Sequence, residues 1–245
     1  MFFFSKKKPE TATDLSWLGT DIHSHLLPGI DDGSQAMETS VALIKGLRQL
    51  GYKKLITTPH ILWEIYPNTP EQIETKKETV KTAIGEAGIE IAFGAAAEYF
   101  IDEHFQKAIK EKEPLLPISK NIVLVEFSMV TAPLDLMDVL FEMQLAGYQP
   151  LVAHPERYIY LTHRKAFFAD LKAAGCQFQL NLLSLTTHYG TSVQALAEYL
   201  LKEELYDYAG TDLHSEKHLL ALQQLAAAPL YNRLKDSGRL KNHLL

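Results

Sequence analysis

The feature that most limits what this chain can fold into is an alternation. Short strand-like runs, all but one ending in or beside a residue able to bind a metal, are separated by stretches with helical periodicity. The runs are Trp17–His25, Lys53–Thr58, Ile89–Glu98, Asn121–Glu126, Gln149–His154, Cys176–Asn181 and Tyr206–Thr211. Ile122-Val123-Leu124-Val125 is apolar without alternation, as expected of a parallel strand covered on both faces. Between the first two runs, Met37, Val41, Ile44, Leu47 and Leu50 recur at helical spacing over Gln35–Leu50, and Gly51 stops the helix. Further helices are expected at Pro70–Ala87 with Thr69 as N-cap, and at Glu103–Lys110, Pro133–Ala146, Tyr160–Ala174, Thr191–Lys202 and Ser215–Ala227. One more should close the chain through Leu245. Strand and helix alternating seven times predict a parallel α/β sheet, open or closed. A chain of 245 residues, 47% hydrophobic, can bury one sizeable core, and (β/α) barrels commonly run to this length. The expected organisation is a tail over residues 1–16 and a single domain over 17–245.

Composition excludes several classes. The net charge is -6 and the only basic run is Lys6-Lys7-Lys8, which argues against a duplex nucleic acid partner. A single cysteine, Cys176, leaves no disulfide framework and no thiolate-rich zinc site. Six positions on stands Leu182, so the Cys-x5-Arg loop of thiol-based phosphatases is absent. No apolar stretch is long enough to span a bilayer. The run Phe2-Phe3-Phe4 is too short for a signal-peptide core, and its lysines follow it rather than precede it. The expectation is a cytoplasmic protein whose N-terminus is a disordered tail, with a weak membrane-surface or partner contact as the alternative.

The chemistry collects at the strand ends. Asp21-Ile22-His23-Ser24-His25 puts two imidazoles on one side of a strand, a start for a metal site. Later ends supply His60, Glu98, Glu126, His154, and Asp212 with His214; the sixth offers only Asn181. Strand ends of a barrel meet around one mouth, so residues weak alone form a constellation together. Plainer roles stay open: a strand-end cap for His60 and His154, a salt bridge for Glu126, turn formation for Asp31-Asp32-Gly33. Asp32 is preferred over Asp31 as a ligand. His104, His163, His188, His218 and His243 read as surface residues. Trp63, Tyr66, Phe100 and Tyr158 follow strand ends and would either wall a cleft for an aromatic leaving group or simply pack their loops.

Four strings carry a resemblance: Asp21-Ile22-His23-Ser24-His25 with Asp31-Asp32-Gly33, Thr58-Pro59-His60, Ala153-His154-Pro155-Glu156-Arg157-Tyr158, and Asp212-Leu213-His214. In this order they resemble the PHP (polymerase and histidinol phosphatase) metallophosphoesterases, over about residues 17 to 218. Within these, the chain is most similar to the bacterial capsule and exopolysaccharide branch, the manganese-dependent protein-tyrosine phosphatases of the CpsB/CapC type. The resemblance implies a distorted seven-stranded (β/α)7 TIM-like barrel holding three metal ions. His23, His25, Glu98 and Asp212 would hold one; Glu98, Glu126 and His154 a second, with Glu98 bridging; Asp32, His60 and His214 a third. Arg157 would bind phosphate, with Lys217 or His218 as a further basic residue. Imidazole and carboxylate donors without thiolate suit Mn(II), Fe or Zn, and the resemblance favours manganese.

Four carboxylates bring about -4 and three divalent ions about +6, so the site would carry about +2 before Arg157 is added. Such a site attracts a phosphate dianion, and metal-activated water removes any need for a protein nucleophile. The expected partner is a phosphotyrosine protein, a bacterial tyrosine kinase of polysaccharide export, and nothing opposes a homo-oligomer. The alternatives are a small-molecule phosphatase acting on a substrate such as histidinol phosphate, and a non-catalytic metal-stabilised module.

Overall fold

The computed structural model describes residues 12–245; the expectations for the Phe/Lys run lie outside the described residues. Among the described residues there are nine strands: β1 (Thr20–Asp21), β2 (Lys54–Thr57), β3 (His60–Ile61), β4 (Ala92–Ala95), β5 (Glu98–Phe100), β6 (Ile122–Glu126), β7 (Gln149–Ala153), β8 (Gln177–Asn181) and β9 (Tyr208–Gly210). They form two sheets, in the orders β1-β2-β4 and β3-β5-β6-β7-β8-β9. Every strand pairing is parallel. The helices are α1 (Met37–Gln49), α2 (Pro70–Glu86), α3 (Glu103–Glu111), α4 (Leu136–Leu145), α5 (Ala166–Ala173), α6 (Thr191–Lys202), α7 (Glu216–Gln223) and α8 (Pro229–Ser237). The result is a mixed α/β fold built on a curled parallel sheet.

The second and third expected strands are each interrupted, and the two breaks lie side by side. Pro59 has no N–H to give to a ladder, so β2 stops before it and β3 starts after it. Opposite, Ala96-Ala97 separates β4 from β5. The register survives, since the Ala96 N–H reaches the Thr57 carbonyl at 2.8 Å and the Glu98 N–H reaches Pro59 at 3.1 Å. The first expected strand is shorter than Trp17–His25. Trp17 lies in a turn, and Gly19 takes φ +74°, which a side chain resists. Past β1 the chain continues as a bridge: Ser24 pairs with Leu213, the His25 N–H bonds the Leu213 carbonyl at 2.9 Å, and the Thr58 N–H bonds the Ser24 carbonyl at 2.7 Å. This segment draws the end of β2 and the residues after β9 together.

Side chains alternate across the curl. Val123, Val125, Val152 and Phe178 face the helices and pack with Val139 and Phe168. Ile22, Ile56, Leu124, Leu151 and Tyr208 form a separate inner cluster. On β6 the inward row that holds Leu124 continues to Glu126; on β5 it holds Glu98 while Tyr99 turns outward. The inner cluster thus fills the lumen and leaves its upper end to polar groups.

At the lower end, the expected last helix stops at Ser237, where Gly238 takes a left-handed cap at φ +61°. The chain then returns beneath the sheet, and buried Asn242 bonds Thr20 and Ala209. Residues 12–16, expected as tail, also pack down: Leu15 is buried and its N–H bonds the Leu50 carbonyl at 2.7 Å.

Candidate metal centre

The upper strand ends converge on an open cavity of about 600 Å³. His23 and His25 project from the bridge segment so that their Nε2 atoms lie 3.3 Å apart. Each ring's other nitrogen is committed. His23 Nδ1 faces the Gln179 amide oxygen at 2.8 Å, and His25 Nδ1 faces the Asp31 carboxylate at 2.8 Å. Both acceptors call for an N–H at Nδ1, which leaves a lone pair at each Nε2 in the neutral rings. Around those lone pairs stand Glu98 Oε2, at 3.1 and 3.4 Å, and Asp212 Oδ1, at 3.3 and 3.4 Å. In that tautomer four electron-rich atoms face one another; burial pushes both imidazoles down, but the carboxylates around them raise them above the ordinary histidine value, so the cage draws a proton or another cation.

Two further groupings adjoin it. His154 Nε2 is 3.1 Å from Glu98 Oε1 and 3.8 Å from Glu126 Oε2. Asp32 Oδ1 is 3.4 Å from His60 Nε2 and 3.5 Å from His214 Nε2. The other nitrogen of His60 lies 3.2 Å from Glu98 and 3.0 Å from Glu126, yet it makes no hydrogen bond, and neither does His154 Nδ1. Donor atoms of His25, Asp32, His60 and His214, and of His60, Glu98 and Glu126, fall within 4.8 Å of one another. His23, His154 and Asp212 form another such set.

The electrostatics say what the cluster wants. Burial pushes Glu98 and Asp212 up, but the imidazoles beside them, His23 first, hold both well below the usual carboxylate range. Burial and His25 push His60 down, yet Glu98, Asp32 and Glu126 lift it to about 10. A buried site that draws positive charge this strongly, through imidazole and carboxylate alone, fits divalent cations.

Backbone strain sits in the same place. His154 takes φ +33° and Asp212 φ +50°, a region costly for residues with a Cβ. At His154 this ends β7 and begins the tight turn Pro155–Arg157. Arg157 Nη1 donates to Asp212 Oδ2 at 3.0 Å, and the guanidinium carbon lies 4.8 Å from the Tyr189 ring centre. Asn181 also donates to Asp212 Oδ2, at 2.8 Å. Oδ2 is thereby anchored and Oδ1 is left to the histidines. The arginine side chain is 28% exposed and borders the cavity.

All ten residues expected at the site gather here. Asp31 and Asp32 divide the work: Asp31 supports His25 and takes the Gly33 N–H at 2.9 Å, and Asp32 faces the cavity. Of the two basic alternatives, His218 lines the cavity and Lys217 stays exposed. His218 is therefore not the free surface residue first expected. Tyr66 and Phe100 line the cavity, Trp63 lines a neighbouring one, and Tyr158 is wholly buried, stacked on Phe127 at 4.0 Å. Sequence reasoning missed Gln179 and Glu156. Their signal was a polar residue inside an otherwise buried strand, and a carboxylate between Pro155 and Arg157. Glu156 is fully buried and accepts from the Asn181 N–H at 2.9 Å and the Tyr206 hydroxyl at 3.0 Å.

Residues 19–235 match the family described as capsular polysaccharide synthesis, CpsB/CapC. The chain belongs to the CpsB/CapC family. Among its relatives, the tyrosine-protein phosphatase YwqE of Bacillus subtilis is 24% identical over 80% of this chain and 78% of its own. The tyrosine-protein phosphatase CpsB of Streptococcus pneumoniae is 29% identical over 80% of this chain and 82% of its own. Among solved structures, one from the crystallographic description of YwqE and pneumococcal CpsB as unique metal-dependent tyrosine phosphatases superposes with a TM-score of 0.78. That match covers 89% of this chain and 90% of the other at 23% identity, and it establishes the CpsB/CapC fold for this chain. No helix among the described residues is long and apolar enough to cross a membrane.

Proposed function

We propose that this chain is a metal-dependent protein-tyrosine phosphatase of capsular or exopolysaccharide synthesis, working in the cytoplasm on a tyrosine kinase. One observation carries the reading: His23 and His25 present lone pairs to each other inside a ring of carboxylates, with Arg157 at the rim. His23, His25, Glu98 and Asp212 would hold one ion, Glu98, Glu126 and His154 a second, and Asp32, His60 and His214 a third. Manganese is the expected metal, with three ions per chain. The domain is read as one distorted seven-stranded barrel over residues 17–245, with β2 and β3 counted as one interrupted strand and β4 and β5 as another.

Bound ions would supply Lewis acidity and a water ionised near neutral pH. The chain's own residues do the rest. Arg157 offers the guanidinium N–H groups not used on Asp212 to phosphate oxygens in a fork geometry. The Asp212 contact and the Tyr189 ring fix that guanidinium before substrate arrives, which limits the entropy lost on binding. Tyr66 and Phe100 give an aromatic ring a wall. Gln179 and Asp31 hold His23 and His25 in the tautomer that leaves Nε2 free. Cys176 is buried away from the cavity, consistent with chemistry that needs no thiolate.

The test is release of phosphate from phosphotyrosine peptides with manganese. The expected result is turnover that chelation abolishes and that exceeds, in kcat/KM, the rate on histidinol phosphate. Full activity after chelation, or preference for the small phosphomonoester, overturns the proposal.

A further inference from the structure

A second cavity, of about 350 Å³, lies beside the metal mouth. One strand and one loop separate them. On β3, His60 faces the mouth and Ile61 lines the second cavity. In the loop that follows, Leu62 and Tyr66 belong to the mouth while Trp63 belongs to its neighbour. At the end of β5 the same division recurs between Phe100 and, two residues on, Asp102.

The second cavity has apolar walls from Ile61, Tyr99, Phe105 and Leu115. At its rim Trp63, 46% exposed, stacks one face on His104 at 3.9 Å and 11°. Glu71, Asp102 and Glu113 add carboxylates, and no lysine or arginine among the described residues lines it. Asp102 is committed to the Phe105 and Trp63 N–H groups. Glu71 and Glu113 are exposed and form no ion pair among the described residues. A slot with apolar walls, an aromatic rim and unpaired carboxylates suits a long side chain with a cationic tip: the stem packs on the walls, the charge meets carboxylate and ring. Charge also separates the two cavities, because the metal mouth selects a dianion and this one a cation.

Resting on the phosphatase reading above, we propose that this cavity is a second substrate subsite. It takes an arginine or lysine side chain from the same peptide that places its phosphotyrosine in the mouth. An extended peptide advances about 3.3 Å per residue, and only one strand and one loop part the cavities, so the basic residue stands close to the phosphotyrosine in sequence.

The experiment compares phosphotyrosine peptides carrying arginine, alanine or glutamate at each of the three positions on either side, with para-nitrophenyl phosphate as a probe too small to reach the second cavity. Expected is a preference of about tenfold in kcat/KM for arginine over glutamate at one position, expressed in KM. In Glu71→Gln/Glu113→Gln the preference falls to about twofold or less, and Trp63→Ala weakens arginine and lysine peptides alike. Both variants keep the wild-type rate on para-nitrophenyl phosphate, which also reports that they fold. Equal rates on all peptides, or a preference that survives both variants, overturn the subsite and leave the phosphatase standing. If neither peptides nor para-nitrophenyl phosphate are hydrolysed with manganese, the phosphatase reading falls and takes the subsite with it.

Discussion

The two ends of the curled sheet bury polar groups in opposite ways. At the lower end Asn242 and Asp207 have their polar atoms answered by protein. Asn242 donates to Thr20 at 3.0 Å and to the Ala209 carbonyl at 2.7 Å, and its own oxygen takes the Ala209 N–H at 2.9 Å. Asp207 takes the Phe178 N–H at 2.9 Å and pairs with Lys241 at 2.9 Å and with Lys172. At the upper end electron-rich atoms crowd one another, two ring nitrogens have no partner, and the site residues His154 and Asp212 themselves sit at positive φ. An unanswered buried polar group costs about 1–3 kcal/mol, and a strained φ costs a similar amount. The Asn242 and Asp207 contacts are complete as protein; the upper cluster would be completed by cations. Stability is concentrated at one end so that the other can be held in a geometry the chain alone would not favour.

The largest effect that should separate the ends comes from Asp212→Ala. Turnover should fall by at least about 10³-fold, or about 4 kcal/mol of transition-state stabilisation. The melting temperature of the metal-free protein should fall by no more than a few degrees, because Arg157, which loses this acceptor, borders the open cavity where water can replace it. The rise in melting temperature that manganese gives the wild type should shrink, since ligand stabilisation follows RT ln(1 + [L]/Kd). Differential scanning fluorimetry with and without manganese reads both. Acid should also weaken manganese binding, because His60, lifted to about 10, must give up its proton to become a ligand. Titrations at pH 6 and 8 check the sign: tighter at 8.

Asn242→Ala should do the reverse. It strands the Ala209 N–H and the Thr20 carbonyl, costing about 2–4 kcal/mol and roughly 4–12 °C in melting temperature, with kcat unchanged below the transition. If this variant lost activity at 20 °C while folded, or if Asp212→Ala melted as early, the division between the ends would be wrong.

This difference also explains what the sequence made legible. Most donor residues stood out because they lie at or just past a strand end; at Glu126 a run of Ile, Leu and Val stops at the carboxylate and alternation dictates which way it points. Asn242 did not stand out. It lies outside any strand, and its role depends on α8 stopping at Gly238 and the chain folding back, a tertiary event with no local periodicity. Gln179 was missed for a related reason. A glutamine in a strand reads as solvated, and only the position of His23 on another strand makes it a partner. The breaks at Pro59 and Ala96-Ala97 were half legible: proline announces the first, but small alanines could equally continue a strand. Asp31 and Asp32 could not be told apart because turn residues carry no facing rule.

A smaller test at the lower end uses Asp207→Asn. Burial pushes the Asp207 carboxyl up, but the ammonium groups of Lys172 and Lys241 and the Phe178 N–H outweigh it, so its value in the folded protein is lowered. A carboxylate whose folded value is depressed contributes stability that is present above its unfolded value, near about 3.9, and lost as pH falls through the folded value. Wild type should exceed the variant by about 1–3 kcal/mol at pH 7, and the gap should close as the medium is taken below about pH 4. Urea melts at pH 7, 5 and 3.5 measure it. A gap that widens in acid would mean that Asp207 is not the anchor its contacts make it.

The smallest effect concerns Cys176, just before β8 at the lower end. Burial pushes its thiol up to about 11, against a weak pull down from Lys172. At pH 7.5 less than about one molecule in a thousand carries the thiolate there, and the thiolate is the reactive form. Iodoacetamide at that pH should leave the rate on an aryl phosphate untouched. Cys176→Ala should keep full activity at a stability cost of about 1 kcal/mol, the loss of one small buried group. Rapid inactivation, with one added carbamidomethyl group by mass, would put a nucleophile at the end of the sheet opposite the metal-ligand cluster. Water activation at the upper end could then no longer be the whole of the chemistry.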